Sequence, residues 1–289
     1  MRLLLTGADG FTGMHLTDAA HLAGYEVLPL KGDLQDEAAV RQQVLELAPT
    51  HVIHLAGISQ VTSKDELAYY GVNLLGSLNL LKALAGLNTA PHKVILASTS
   101  NVYGNNPHSP IAETATPSPI SHYAMSKLAM EYMSAPFLKR LPIVITRPFN
   151  YTGIGHAEHF VIPKIVDHFR RKAKSIELGD MTVLREYTDV RDVCQMYLRL
   201  LELGESGQTY NLASGRQYSL EEVIARLERL SGHQIAATVN PNFLRANEIA
   251  SLCGSDLLLF NCIGPIQFFT LDETLRWMLE SSSQKPVKS

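Results

Sequence analysis

Two side chains in HYAMSK can do proton chemistry together: Tyr123 and Lys127 stand four residues apart, so on a helix they project from one face, one turn apart. A phenol with its ordinary pKa near 10 is a sluggish acid at neutral pH, but an adjacent ammonium and an oxidised nicotinamide both favour its phenolate. The pair is a candidate acid/base couple, although the spacing alone is weak evidence. Upstream, ASTSNVYG (97–104) closes the apolar run KVIL with hydroxyls. A hydroxyl at the carboxyl end of a parallel strand faces the ligand crevice and can hydrogen-bond a carbonyl or alkoxide, which selects Thr99. The competing reading is that these Ser and Thr residues merely end a strand with local bonds.

TGADGFTG spaces Gly7, Gly10 and Gly13 three apart between an apolar run and a helical pattern. Such glycines permit a tight turn and let backbone N–H groups at a helix start approach a pyrophosphate; the alternative is an ordinary glycine-rich turn. A dinucleotide fold also needs a group for the ribose 2′ position near the end of its second strand. Lys31 there would pair with a 2′-phosphate, favouring NADP(H) over NAD(H), or is a solvated loop lysine; Asp33, two further on, would contact the ribose or adenine.

These residues need elements to carry them. Arg2–Thr6, Glu26–Leu30, His51–Ala56, Lys93–Ser98 and Pro142–Arg147 read as strands, separated by helical patterns at Met14–Ala23, Glu37–Leu47, Asn73–Leu87 and from about Tyr123. Unbroken apolar runs such as VIHLA and KVILAS belong to strands buried on both faces, and helices between them make right-handed crossovers. The expectation is an α/β, Rossmann-like, doubly wound parallel sheet. After Arg147 the pattern is irregular, with short elements near Ser175–Leu178 and Ile235–Val239. The expected division is a dinucleotide-binding domain over 1–150, with about 186–212 added, and a smaller C-terminal substrate-binding lobe over 151–185 and 213–280, followed by a flexible tail at 281–289.

The 289 residues are 46% hydrophobic, enough for a sizeable core, with 25 Lys+Arg against 28 Asp+Glu. A formal charge of −3 supplies no field for nucleic acid. The apolar start is too short for a secretory segment, and LLLFNCIGPIQFF falls short of a membrane span. Cys194, Cys253 and Cys262 lack metal-ligand spacing and fit reduced thiols in cytoplasm; no metal is expected.

Taken in order, TGADGFTG, HLAG (54–57), Asn73, ASTSNVYG, Tyr123 with Lys127, RPFN (147–150) and REYTDVRDV (185–193) resemble the extended short-chain dehydrogenase/reductase family of nucleotide-sugar enzymes, over about residues 1–279. RPFNYTGIG with HFVIPKI, YNLASGRQYSLEEVI and NPNFLRANEIASLCGS are most similar to its reductases of GDP-4-keto-6-deoxy-D-mannose. The resemblance implies NAD(P)H-dependent reduction of the C4 ketone of a nucleotide-diphosphate 4-keto-6-deoxyhexose. It makes Tyr123 the proton donor, Thr99 the group that orients the oxygen, and Lys127 the holder of the nicotinamide ribose. Gly7, Gly10, Phe11, Gly13, Leu55, Ala56, Gly57 and Asn73 would line the cofactor, and Asn150, Arg185 and Arg245 the sugar-nucleotide diphosphate; without the resemblance, both arginines read as surface ion-pair residues. Asn101 departs from the pattern: dehydratases carry a carboxylate there, and an amide accepts no proton at neutral pH, so 4,6-dehydration is disfavoured. A nucleotide-sugar 4-epimerase and an inactive dinucleotide-binding protein are the alternatives. The resemblance also implies a homodimer through a four-helix bundle, with Met125, Leu128, Ala129 and Met133 either forming its face or belonging to the core.

Overall fold

The computed structural model describes residues 1–58, 65–244 and 249–281. In chain order the first half contains β1 (Arg2–Thr6), α1 (Phe11–Leu22), β2 (Glu26–Leu30), α2 (Glu37–Leu47), β3 (His51–His54), α3 (Glu66–Tyr69), α4 (Ser77–Ala85), β4 (Lys93–Ala97) and α5 (His122–Ser134). Then come β5 (Ile143–Pro148), β6 (Tyr151–Thr152), α6 (Val161–Arg170), β7 (Ser175–Leu178), β8 (Leu184–Glu186), β9 (Thr188–Asp189), α7 (Val190–Leu203) and β10 (Thr209–Leu212). The chain closes with β11 (Gln217–Tyr218), α8 (Leu220–Ser231), β12 (Ala236–Val239), β13 (Ser251–Leu252), α9 (Leu257–Ile263) and α10 (Leu271–Glu280).

Six strands form one parallel sheet in the order β10-β5-β4-β3-β1-β2. Side chains alternate between its faces, so the run Leu3-Leu4-Leu5 supplies two cores. Leu3 and Leu5 pack with Leu16 of α1 and Val193 and Leu200 of α7, while Leu4 packs with Val40 of α2, Leu80 and Leu84 of α4 and Met130 of α5. An uninterrupted apolar strand is therefore the pattern a sheet with helices on both faces demands. From β1 the chain winds one way to β2 and the other way through β3, β4 and β5. The switch between β1 and β3 opens a crevice at their carboxyl ends, above Gly7 and Leu55.

A separate core joins α6, β7, α8 and α10 through Ile165, Phe169, Ile176, Val223, Leu227 and Leu275. The same half of the chain forms the small sheets β11-β8-β13, β12-β7 and β6-β9. Leu259 and Ile263 of α9 instead return to the core of the large sheet.

Some boundaries differ from the sequence reading. Helix α1 begins at Phe11 rather than Met14, because Gly10 adopts the extended N-cap conformation and Gly13 is tolerated within the first turn. The helix expected from Asn73 starts at Glu66 and runs through a π-helical turn, Tyr70–Gly76, into α4. Its first turn, Glu66–Tyr69, carries no apolar stripe, with Tyr69 buried and Leu67 exposed. Among the described residues, no helix is long and apolar enough to cross a membrane.

Candidate active site

The glycine turn is shaped by collisions its residues avoid. Gly7 has φ +70°, and a Cβ there would sit 2.9 Å from the Ala56 nitrogen across the β1/β3 switch. A Cβ on Gly13 would overlap the Gly7 carbonyl oxygen. No side chain caps α1 at Gly10 and no acid stands in its first turn, so the leading N–H groups and the positive helix end are open to an anion. That is the donor set a dinucleotide pyrophosphate requires. Phe11 stacks on His156 at 4.3 Å and 9°, Thr12 Oγ1 lies 2.7 Å from the Tyr151 hydroxyl, and His15 Nε2 is 2.8 Å from the Ile154 carbonyl. Burial pushes His156 down to about 3, leaving a neutral ring against Phe11.

Helix α5 presents its acid/base pair into the same crevice. Ser121 caps it by accepting the Ala124 N–H, and Tyr123, Lys127 and Glu131 follow one another along its inner face, all buried. Thr99 stands close enough to Tyr123 to lower the phenol's pKa, and its Oγ1 accepts the Asn101 N–H at 3.2 Å. Lys127 Nζ donates to the Ala97 carbonyl at 2.8 Å. Burial pushes its pKa down to about 8, opposed by the Glu131 carboxylate. For Tyr123, burial raises the pKa above 10.0, Thr99 lowers it and nearby Tyr69 raises it again. This corrects the expectation that the neighbouring ammonium makes the phenol acidic: in the protein alone desolvation wins, and the phenol keeps its proton. A protonated phenol is the form that can donate to an alkoxide.

Asn73 closes the cradle. Its Oδ1 accepts the Ile58 N–H at 2.8 Å, and its Nδ2 donates to the Ile58 carbonyl at 3.2 Å and to Ser126 Oγ at 3.0 Å. A Cβ on Gly57 would come within 2.7 Å of Asn73 Oδ1 and 3.1 Å of Lys127 Nζ, so the stretch Leu55–Gly57 leaves both groups unobstructed.

Beneath the pair lies a buried polar network that the sequence reading missed. Arg147 meets Glu131 through Nη2–Oε2 at 2.6 Å and Nε–Oε1 at 3.0 Å, and Ser98 donates to the same carboxylate. Arg147 Nη1 donates to the Tyr103 hydroxyl at 3.0 Å, which donates to Asn211 Oδ1 at 2.7 Å. These bonds tie Ser98, just past β4, to α5, β5 and β10, so Arg147 of RPFN and Tyr103 of ASTSNVYG serve as scaffold. Glu131, four residues beyond Lys127, was the available signal.

The remaining expected residues lie outside this cluster. Lys31 is exposed at the end of β2, its backbone clamped to Gln43 by N–H···Oε1 at 3.0 Å and Nε2–H···O at 2.7 Å. Asp33 Oδ1 accepts the Gln35 N–H at 2.9 Å, a local turn bond. Asn150 is exposed just beyond β5, with its carbonyl accepting the Thr188 N–H at 3.1 Å. Arg185 lies on β8, its Nη1 donating to the Leu184 carbonyl at 2.9 Å. Arg245 lies outside the described residues. On α5, Met125 faces outward at 41% exposure, whereas Leu128 and Met133 pack into cores.

Residues 3–213 match the model of the NAD dependent epimerase/dehydratase family. GDP-6-deoxy-D-talose 4-dehydrogenase of Aggregatibacter actinomycetemcomitans is 32% identical over 93% of this chain and 94% of its own. GDP-6-deoxy-D-mannose reductase of Pseudomonas aeruginosa is 34% identical over 96% of each chain. The structure of RMD from Pseudomonas aeruginosa complexed with NADPH superposes with TM-score 0.89 at 34% identity, covering 96% of this chain and 97% of the other. The Thermus thermophilus UDP-glucose 4-epimerase complexed with NAD gives TM-score 0.83 at 28% identity, covering 97% and 98%. With its glycine turn at the sheet's switch point and a Tyr/Lys helix facing it, this chain belongs to the NAD dependent epimerase/dehydratase family.

Proposed function

We propose that the protein reduces the C4 ketone of a nucleotide-diphosphate 4-keto-6-deoxyhexose, GDP-4-keto-6-deoxy-D-mannose above all, to GDP-D-rhamnose or its C4 epimer. The single observation that carries this reading is the buried set Thr99, Tyr123 and Lys127 gathered in the switch-point crevice. The 34% identity to a GDP-6-deoxy-D-mannose reductase supports the choice of sugar. A bound NADPH supplies hydride to C4; everything else falls to the chain. Thr99 orients the C4 oxygen and Tyr123 protonates it as charge develops. With the cofactor bound, Lys127 would hold the nicotinamide ribose and Asn73 would line the site, while Gly7, Gly10, Phe11 and Gly13 would offer backbone to the pyrophosphate. Asn150, Arg185 and Arg245 hold the substrate diphosphate, guanidinium groups suiting its charge.

Lys31, exposed at the end of β2, favours NADP(H) by offering its ammonium to a 2′-phosphate, whereas Asp33 Oδ1 accepts the Gln35 N–H in a local turn. NAD(H) is the alternative. We assign 1–150 with 186–212 to the cofactor body and 151–185 with 213–280 to the substrate lobe, except α9, whose Leu259 and Ile263 pack in the core of the large sheet. Exposed Leu67, Leu75, Met125 and Tyr132 on the α3–α4 and α5 surfaces suit a homodimeric four-helix bundle. Three free cysteines suit a reducing cytoplasm.

The test is purified protein with NADPH and the 4-keto product of a GDP-mannose dehydratase, followed at the reduced-nicotinamide absorbance band. Consumption supports the reductase, and NADH in parallel ranks the cofactors. No consumption with either refutes it. Copurified NAD with epimer formation and no net redox change assigns the protein instead to the 4-epimerases.

A further inference from the structure

His54 interrupts the apolar strand VIHLA, yet its ring is fully buried and both nitrogens are engaged. Thr6 Oγ1 accepts the Ala56 N–H at 3.0 Å and lies 2.7 Å from His54 Nδ1. On the other side, His54 Nε2 is 2.8 Å from Ser77 Oγ, which donates its one hydrogen to the Asn73 carbonyl at 2.6 Å. Turning that hydrogen toward the imidazole would leave two acceptor oxygens in contact at the Ser77–Asn73 distance, so Ser77 Oγ must accept from His54, and Nε2 carries the proton. Nδ1 is then bare and accepts from Thr6, whose hydroxyl hydrogen has no other acceptor among the described residues. Both sides of the ring require the same tautomer.

The chain of bonds continues in the same sense. Asn73 Nδ2 donates to Ser126 Oγ at 3.0 Å, and Ser126 donates to the Tyr123 carbonyl at 2.8 Å. We propose that His54 is a positioning residue of the site: as the Nε2–H tautomer it is the central link of a one-way run of hydrogen bonds from the Ala56 N–H at the sheet's switch point through Thr6 and Ser77 to the Asn73 main-chain carbonyl, and the Asn73 side chain carries the tie on through Ser126 to the helix turn bearing Tyr123 and Lys127. The chain sets Asn73, and through it the Gly57–Ile58 backbone, against the acid/base turn. Asn73 lies in the π-helical turn, a register change that concentrates at functional sites. Burial and the nearby Lys127 ammonium push His54 down to about 3, so the ring stays neutral and the polarity of the chain does not reverse. The consequence for cofactor binding rests on the proposed reductase reading; the tautomer does not.

Two measurements test it. In the full-length protein labelled with 15N-histidine, the His54 resonances, assigned by their loss in His54→Gln, should show a protonated Nε2 and bare Nδ1, unchanged from about pH 5 to about pH 9. A protonated Nδ1, or titration in that range, overturns the proposal. Second, His54→Phe keeps a planar ring and removes both bonds; it should weaken NADPH binding and lower kcat/KM by about tenfold. His54→Gln, which keeps a donor toward Ser77, should recover most of the loss. A folded Phe variant with parental NADPH affinity and kcat/KM, or a Gln variant no better than Phe, overturns the proposal. Failure of the parent to turn over any 4-keto sugar sinks the reductase reading while the resonance measurement still decides the chain.

Discussion

Replacing Lys127 by Met should stabilise the cofactor-free protein while destroying its activity. Lys127 is only 4% exposed, and burial brings its pKa from 10.5 to about 8. At roughly 1.4 kcal/mol per pH unit, holding this ammonium in the fold costs about 3 kcal/mol below pH 8. Met has a similar stem and no charge, and it forfeits the bond to the Ala97 carbonyl, worth about 1 kcal/mol. Glu131 is not stranded, since Arg147 and Ser98 still satisfy it. The net expectation is a gain of about 2 kcal/mol at neutral pH. The sign of the pH dependence follows from the lowered folded pKa. Between 8 and 10.5 the unfolded chain keeps the proton that the native state has lost, so parental stability rises with pH and the gap closes. Urea unfolding of both proteins without cofactor, at about pH 7 and about pH 10, reads the difference directly. The Met variant being less stable near neutrality, or a gap that stays constant between the two conditions, would refute the reasoning. The loss of activity beside a gain in stability is the trade-off expected where a site holds a charge the fold alone would reject.

Tyr123→Phe removes the proton donor and should lower kcat by about 10²- to 10⁴-fold while fluorescence titration still shows NADPH binding. In Gly13→Ala the new methyl overlaps the Gly7 carbonyl, so the phosphate turn must shift; NADPH affinity measured by the same titration should fall by at least about tenfold. Lys31→Ala should weaken NADPH by about tenfold and leave NADH unchanged, a comparison of two dissociation constants that decides the 2′-phosphate contact. Arg147→Met leaves the Glu131 carboxylate buried without its bidentate partner and should cost about 3 kcal/mol in urea unfolding at neutral pH.

The site was legible in uneven measure. Tyr123 and Lys127 could be paired from their helical spacing, Thr99 from its place at a strand end, and Gly7 and Gly13 from the turn they must make. Each rests on local geometry, and the structure brings all five to one crevice. Lys31 and Asp33 were ambiguous because a loop of this length fixes no side-chain direction, and the structure gives Asp33 a local partner. The Glu131–Arg147–Tyr103–Asn211 network joins residues up to 108 positions apart, and no periodicity connects them. Within VIHLA, read as an unbroken apolar run, His54 carried no signal of its own, because its partners Thr6 and Ser77 come from elements that meet only in the fold.

The amino-acid order alone determined the alternation of strands and helices, the two-faced burial of the sheet and the turn that must be glycine, because these follow from repeat periods and from clashes within a few residues. Only the tertiary structure decided protonation: whether Tyr123 keeps its proton, how far Lys127 is discharged and which nitrogen of His54 carries hydrogen. Those states depend on desolvation and on partners brought from distant segments, and both quantities exist only once the chain has closed around them.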